Sequence, residues 1–205
     1  MERQLQFNKP TIIIFNGHSS SAKTSTIEII QRYCIQPVFH LSVDSFFLSL
    51  GPKYLGSHSK EGFQFESYYK DGASTQDKLR TEIHYGKMGM AAIKALPHSL
   101  IYPYSQGLNC IADDVIYYKE LMDNYKEVLK NTNTYFVHLY CDELMLMGRE
   151  RYRFNRPLGL GIAQQELMLK QNFDYEIVIE KTDMTSEEVA FKIVNYINNN
   201  DPKYI

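Results

Sequence analysis

Residues Asn16-Gly17-His18-Ser19-Ser20-Ser21-Ala22-Lys23-Thr24 carry the strongest chemical signal in the chain. From Gly17 they read G-x-x-x-x-A-K-T, one residue away from the phosphate-binding pattern G-x-x-x-x-G-K-[ST]. A β-branched apolar run at residues 11–15 precedes them and an amphipathic stretch follows. The segment therefore sits between a strand and a helix, where the pattern requires it. Backbone N–H groups of such a turn, together with the positive end of the helix, wrap phosphate oxygens. Lys23 is placed to neutralise the β and γ phosphates of ATP, and the Thr24 hydroxyl to ligate Mg2+. Ala22 stands where the pattern has glycine. A residue entering a helix already has helical φ, so Ala22 is expected to be harmless. A positive φ there would cost about 1–2 kcal/mol. The bland alternative is a serine-rich turn ahead of a solvated lysine.

Three further groups offer chemistry. Asp44 follows the apolar run 38–43, at the end of a predicted strand. Transfer to a hydroxyl needs an acceptor for the alcohol proton, or a carboxylate that orients the nucleophile. Asp44 fits that role and equally fits a helix N-cap before Phe46 and Phe47. Asp113 and Asp114 follow a second apolar strand, the arrangement that holds Mg2+ directly or through water. A capping turn is the alternative, and the sequence does not separate the two aspartates. Arg149, Arg153 and Arg156 fall at i, i+4 and i+7, on one face of a helix that continues that far. Bidentate arginines stabilise charge on a phosphoryl group in flight. Pro157 and Gly159 would let such a segment close as a lid. A solvated helix paired with Glu143 and Glu150 explains the same residues.

Other candidates are weaker. His40, His58, His84, His98 and His138 show no metal-ligand pairing. Glu180-Lys181-Thr182-Asp183 departs from the guanine-reading N-K-x-D element at its first position and instead suits a border to the adenine. The methionines fall within predicted helices and suit a core. Cys34, Cys110 and Cys141 are odd in number and far apart, so free thiols in a reducing compartment are expected.

The elements that must position these groups follow from composition and period. The chain has 205 residues, 44% hydrophobic and 22% charged, which is the globular range. Its net charge of −2 argues against a general nucleic-acid binder. No apolar run reaches the ~18 residues of a membrane span, and no signal-peptide core is visible near the start. A soluble cytoplasmic protein of one domain over residues 1–205 is expected. Short apolar runs at 11–15, 38–43, 109–112, 135–140 and 175–180 alternate with helical stretches. That alternation predicts an α/β fold with a five-stranded parallel sheet, and ligands bind beyond the carboxyl ends of such strands. Residues 76–96 read as a long helix, with Pro97 and Pro103 breaking the chain behind it. Residues 97–107 read as a small insertion. Residues 51–75, mixed in Gly, Pro, Ser, His and Tyr, read as a loop on the acceptor side. Thr185 with Glu188 makes a capping box for a last helix.

These residues together resemble the chloramphenicol phosphotransferase-like proteins, a branch of the P-loop small-molecule kinases. The resemblance runs from about residue 11 to residue 197. It rests on Asn16-Gly17, Ser19-Ser20, Lys23-Thr24, Val43-Asp44-Ser45 and Ile111-Ala112-Asp113-Asp114-Val115. Its most specific part is Gly148-Arg149-Glu150 with Arg153, Arg156, Gly159, Ala163 and Gln164. It implies a P-loop kinase-type fold with a helical, arginine-rich lid at about 148–165. It implies transfer of the γ-phosphoryl group of ATP, with Mg2+, to a hydroxyl of chloramphenicol or a related small alcohol. By the resemblance Asp44 is the general base, residues 17–24 bind nucleotide, and Arg149, Arg153 and Arg156 belong to the lid. Ala22 and His18 depart from the family's loop. The alternatives are a silent nucleotide-binding module, or a kinase for a nucleoside, sugar or protein acceptor. The fold does not choose among acceptors.

Overall fold

The computed structural model describes residues 4–72, 74–152 and 157–203. In chain order its elements are β1 (Ile12–Asn16), α1 (Lys23–Tyr33), β2 (Val38–Ser42), α2 (Val43–Ser49), β3 (Phe63–Tyr69) and β4 (Leu79–Tyr85). They continue with α3 (Lys87–Ser105), β5 (Asn109–Asp114), α4 (Lys119–Leu129), β6 (Thr134–Tyr140) and α5 (Glu143–Arg151). The chain closes with α6 (Leu160–Gln171), β7 (Ile177–Glu180) and α7 (Ser186–Asn199).

The five strands expected from the sequence form one sheet in the order β2-β5-β1-β6-β7, all parallel. Parallel pairing explains why residues 12–15 of the central strand β1 are apolar without a break, because helices cover both of its faces. Along β1, Ile13 and Phe15 pack with Ile27 and Ile30 of α1 and with Val189 and Ile193 of α7. Ile12 and Ile14 point the other way, to Ile93 and Leu96 of α3 and Leu121 and Tyr125 of α4. All four β1 side chains are buried, each contributing roughly 1.5–3 kcal/mol. The capping box is present: Thr185 Oγ1 accepts from the Glu188 N–H at 3.2 Å, and Glu188 Oε2 accepts from the Thr185 N–H at 2.8 Å.

Three expectations are corrected. Residues 51–75 are not a loop throughout, because residues 63–69 form β3. Residues 76–96 are not one helix. Residues 79–85 are β4, paired antiparallel with β3 in the register Phe65↔Ile83 and Ser67↔Thr81. Phe63, Phe65, Ile83 and Tyr85 share one face of this hairpin, and the period of two beats helix propensity because that face packs on α2 and α3. The helix then starts after Gly86 and runs through Pro97 and Pro103. Residues 97–105 are thus its second half and not an insertion. A proline inside a helix costs about 3 kcal/mol. The stripe Gly89, Ile93, Leu96, Pro97 and Leu100 is buried without interruption, and that burial keeps the helix intact.

The register aligns the carboxyl ends of three adjacent strands, β2, β5 and β1. Phe15 and Ser42 both lie opposite Asp113, and Asn16 lies opposite Asp114. The turn after β1, the start of α2 and the end of β5 are therefore neighbours.

Candidate active site

The turn between β1 and α1 is held close to the sheet. A Cβ on Gly17 would lie 2.1 Å from the Leu139 carbonyl oxygen, so only glycine fits this approach of β1 to β6. Asn16 ties the other side. Its Oδ1 accepts from the Ile116 N–H at 2.6 Å, and its Nδ2 donates to the Ile116 carbonyl at 2.9 Å and to the Tyr175 hydroxyl at 2.7 Å. Two non-glycine residues of the turn adopt left-handed backbone, Ser20 at φ 66° and Ala22 at φ 69°. The expectation of a helical Ala22 is corrected. Ala22 is the N-cap of α1 and lies outside the helix, so the missing glycine leaves strain in the loop.

Lys23 is buried, and its Nζ donates to the carbonyls of Gly17 at 2.7 Å and His18 at 3.1 Å. Asp113 Oδ1 stands 3.5 Å from that Nζ, and Asp113 Oδ2 accepts from the Thr24 hydroxyl at 2.8 Å. Asp114 is turned the other way. It is fully buried, with its carboxylate accepting from the Tyr125 hydroxyl and the Val115 N–H, each at 2.6 Å. Burial pushes its carboxyl up to about 6. The structure thus separates the two aspartates that the sequence left together. Only Asp113 reaches Thr24 and Lys23.

His18 is buried beneath the turn. Its Nδ1 is 2.8 Å from the Ser19 carbonyl, and its Nε2 accepts from the Cys141 N–H at 3.3 Å. Burial and the Lys23 charge lower its pKa to about 4. A neutral ring with the proton on Nδ1 satisfies both contacts. His18 therefore supports the loop through its ring instead of lining it.

A pocket of about 40 Å3 collects Ser19, Ser20, Ser21, Lys23, Thr24, Asp44 and Asp113. Among the described residues, the buried hydroxyl oxygens of Ser19, Ser20 and Ser21 have no hydrogen-bond partner. Buried hydroxyls are nearly always paired, so this lining suits phosphate oxygens. The hydroxyl of Thr24 and the carboxylate of Asp113 form a hard oxygen donor set of the kind Mg2+ takes. No group of three or more His, Cys, Asp or Glu converges among the described residues.

Asp44 is the second helical residue of α2. The N-cap is Ser42, whose Oγ accepts from the Asp44 N–H at 3.3 Å, so the capping role considered for Asp44 belongs to its neighbour. Asp44 also lines a second cavity, of about 430 Å3, walled by Phe47, Leu48, Leu55, Phe65, Ile83 and Leu160. This lining comes from α2, the hairpin and α6, with only Leu55 and Phe65 drawn from residues 51–75. The period-two alternation in residues 79–85 was the signal that would have found it.

On the far side of the loop, Arg149 donates from Nη1 to the Ser20 carbonyl at 3.1 Å. Arg149, Lys181, Tyr152, Ser25 and Ser186 border a further cavity of about 360 Å3. Burial, then the charge of Arg149, lowers the pKa of Lys181. Arg153 and Arg156 lie outside the described residues. The helix α5 carrying Arg149 ends at Arg151. Gln164 is buried on α6, and its Oε1 accepts from the Ser19 N–H at 2.8 Å.

A strand-loop-helix phosphate turn at the head of a five-stranded parallel sheet, with an acidic strand end beside it, defines the P-loop kinase class of fold. The chain belongs to the chloramphenicol phosphotransferase-like family, whose description it matches over residues 10–198. It is 27% identical over 149 residues to a Mycobacterium tuberculosis protein for which O-phosphotransferase activity is proposed. The match covers 72% of this chain and 65% of that relative. The fold resembles a gluconokinase from Sinorhizobium meliloti at a TM-score of 0.61 and 16% identity, covering 93% of both chains. It resembles the tunicamycin resistance protein of Deinococcus radiodurans at a TM-score of 0.61 and 13% identity, covering 95% of this chain and 99% of the other. A Janibacter sugar kinase gives a TM-score of 0.61 at 12% identity, over 93% of this chain and 95% of that one. No helix among the described residues is long and apolar enough to cross a membrane.

Proposed function

We propose that the protein transfers the γ-phosphoryl group of ATP to a hydroxyl of a small, largely apolar alcohol, with chloramphenicol or a related compound as acceptor. The observation that carries this reading is the position of Asp44, which lines both the phosphate-loop pocket and the apolar cavity. A hydroxyl entering from the apolar side meets a carboxylate that also faces the donor phosphates. Asp44 takes or orients the hydroxyl proton there. Lys23 and the loop N–H groups hold the transferring phosphoryl group, and Thr24 with Asp113 holds Mg2+. When bound, Mg2+ neutralises charge on the phosphate oxygens. Arg149 and Lys181 border the nucleoside end. The apolar lining excludes water, which would otherwise compete as acceptor.

The walls of the acceptor cavity favour an aromatic or alkyl body over a polyol, since a sugar would leave hydroxyls unpaired against Phe47, Leu55 and Phe65. The test is incubation with Mg-ATP and chloramphenicol, followed by mass spectrometry for a product heavier by one phosphoryl group. Lys23→Ala is the control. A product that vanishes in the control supports the proposal. ATP binding without product moves the search to other apolar alcohols. Absence of ATP binding overturns the reading of the loop.

A further inference from the structure

We infer that α6 is a strut that fixes the donor phosphate loop and the acceptor hairpin relative to each other, with Gln164 and Glu166 as its two positioning residues. The inference rests on the reading of the loop as the nucleotide site and of the Asp44 cavity as the acceptor site.

The two residues are two positions apart, so they project about 200° apart around the helix. One side grips the loop. Gln164 Oε1 accepts from the Ser19 N–H at 2.8 Å in a buried contact between residues 145 apart in sequence. Gly161 lies against the same residue, where a Cβ would come within 2.8 Å of the Ser19 carbonyl oxygen. The other side grips the hairpin. Glu166 Oε1 accepts from Arg80 Nη2 at 2.8 Å and Nε at 3.1 Å, and from Lys70 Nζ at 3.1 Å. Arg80 is buried on β4, three residues before Ile83, which lines the acceptor cavity.

The start of α6 is held on both sides as well. The Gly159 carbonyl accepts from the Thr81 N–H at 3.2 Å, and the Leu158 carbonyl accepts from the Thr81 hydroxyl at 2.8 Å. The buried carboxylate of Glu150 accepts from the N–H groups of Gly159 and Gly161. Leu160, the first helical residue, is itself part of the acceptor wall.

Packed interiors transmit displacement because they lack free volume. A phosphate group that shifts Ser19 must either break the Gln164 bond or carry α6 with it. If α6 moves, Leu160 moves directly and Ile83 moves through the Glu166–Arg80 pair. Nucleotide occupancy is therefore read in the acceptor cavity, and by reciprocity an acceptor in the cavity changes nucleotide affinity by the same factor that nucleotide changes the acceptor's. Neither residue touches the reacting atoms in this scheme. Both act by setting the relation between two half-sites.

The chain contains no tryptophan, which supplies the experiment. Phe65→Trp places a single indole in the acceptor wall. Binding of Mg-AMPPNP is followed by calorimetry and, in the same samples, by indole emission. The parent reporter is expected to shift its emission on saturation. Adding Gln164→Met, at saturating nucleotide, is expected to leave binding detectable and to abolish the shift; Glu166→Met, which leaves Leu160 and the Thr81 bonds in place, is expected to leave binding detectable and to reduce the shift. Circular dichroism checks folding. Should Gln164→Met not fold, Glu166→Met decides alone, because Glu166 is partly exposed and faces away from the loop. A shift that persists undiminished in either folded variant overturns the strut. So does a parent reporter that binds nucleotide without any shift. A parent that binds no nucleotide by calorimetry overturns the nucleotide reading, and the strut falls with it.

Discussion

Ala22→Gly restores the glycine that the phosphate-loop pattern has at this place, and its effect can be worked out beforehand. Ala22 has φ 69° and ψ 27°. An L residue in that region is destabilised by roughly 1–2 kcal/mol. Glycine removes the strain and adds freedom to the unfolded chain, which offsets roughly 0.4–1 kcal/mol of the gain. Ala22 caps α1 from outside, so no helix-interior penalty applies, and glycine is the better N-cap of the two. The midpoints leave a net stabilisation of about 0.8 kcal/mol. For a chain of this size that corresponds to a melting temperature higher by roughly 2–3 °C. Thermal and urea unfolding, monitored by circular dichroism, measure it. Ala22→Val is the reverse arm, since a β-branched residue tolerates this backbone less well. A glycine variant less stable than the parent would refute the argument, as would a valine variant of equal stability.

Other outcomes follow from the same contacts. Asp114 sits in the protein with its carboxyl raised to about 6 from 3.8. Its protonated form is favoured by folding, so its contribution is full below pH 3.8 and is lost as pH rises through about 6. Relative to Asp114→Asn, the parent should lose on the order of 3 kcal/mol of stability between pH 3.5 and pH 7.5. A flat difference in urea unfolding across that range would count against the buried carboxyl. Asp113→Asn should lower stability, because it removes the carboxylate beside the buried Lys23, and should lower turnover of the folded protein at least ~100-fold at fixed Mg2+, measured as phosphoryl transfer across a Mg2+ titration. Phe65→Ala and Leu55→Asn should raise the acceptor KM and spare the nucleotide Kd, because both residues wall only the apolar cavity. Equal losses in both constants would show that the two cavities are not separate half-sites.

The parallel sheet was legible because short, mostly apolar runs such as residues 12–15 and 135–140 alternate with stretches of helical period. The phosphate loop was legible because its chemistry demands a local pattern, with strand, turn and helix contiguous in sequence. What escaped was set by contacts between distant segments. Residues 79–85 joined a helix-like stretch in sequence, and only pairing with residues 63–69 makes them a strand. Pro97 looked like a stop, yet the buried stripe on both sides of it holds α3 together. Asp113 and Asp114 are adjacent in sequence and differ only in which face of β5 each presents. The apolar cavity beside Asp44 draws its walls from four elements, none of which announces it alone. Ala22 misled because the residue just before a helix that begins at Lys23 is its N-cap, and here that cap takes left-handed backbone and not helical φ.

The central claim is that Asp44 joins a donor site to an acceptor site without being needed for either ligand to bind. The direct measurement is Asp44→Asn, assayed side by side for ATP binding by calorimetry and for phosphoryl transfer to chloramphenicol, or to whichever apolar alcohol the parent protein phosphorylates. The account expects a nucleotide Kd close to the parent's and transfer reduced by roughly 100- to 10,000-fold. Transfer at the parent's rate would contradict it, and so would a loss of transfer fully explained by loss of ATP binding.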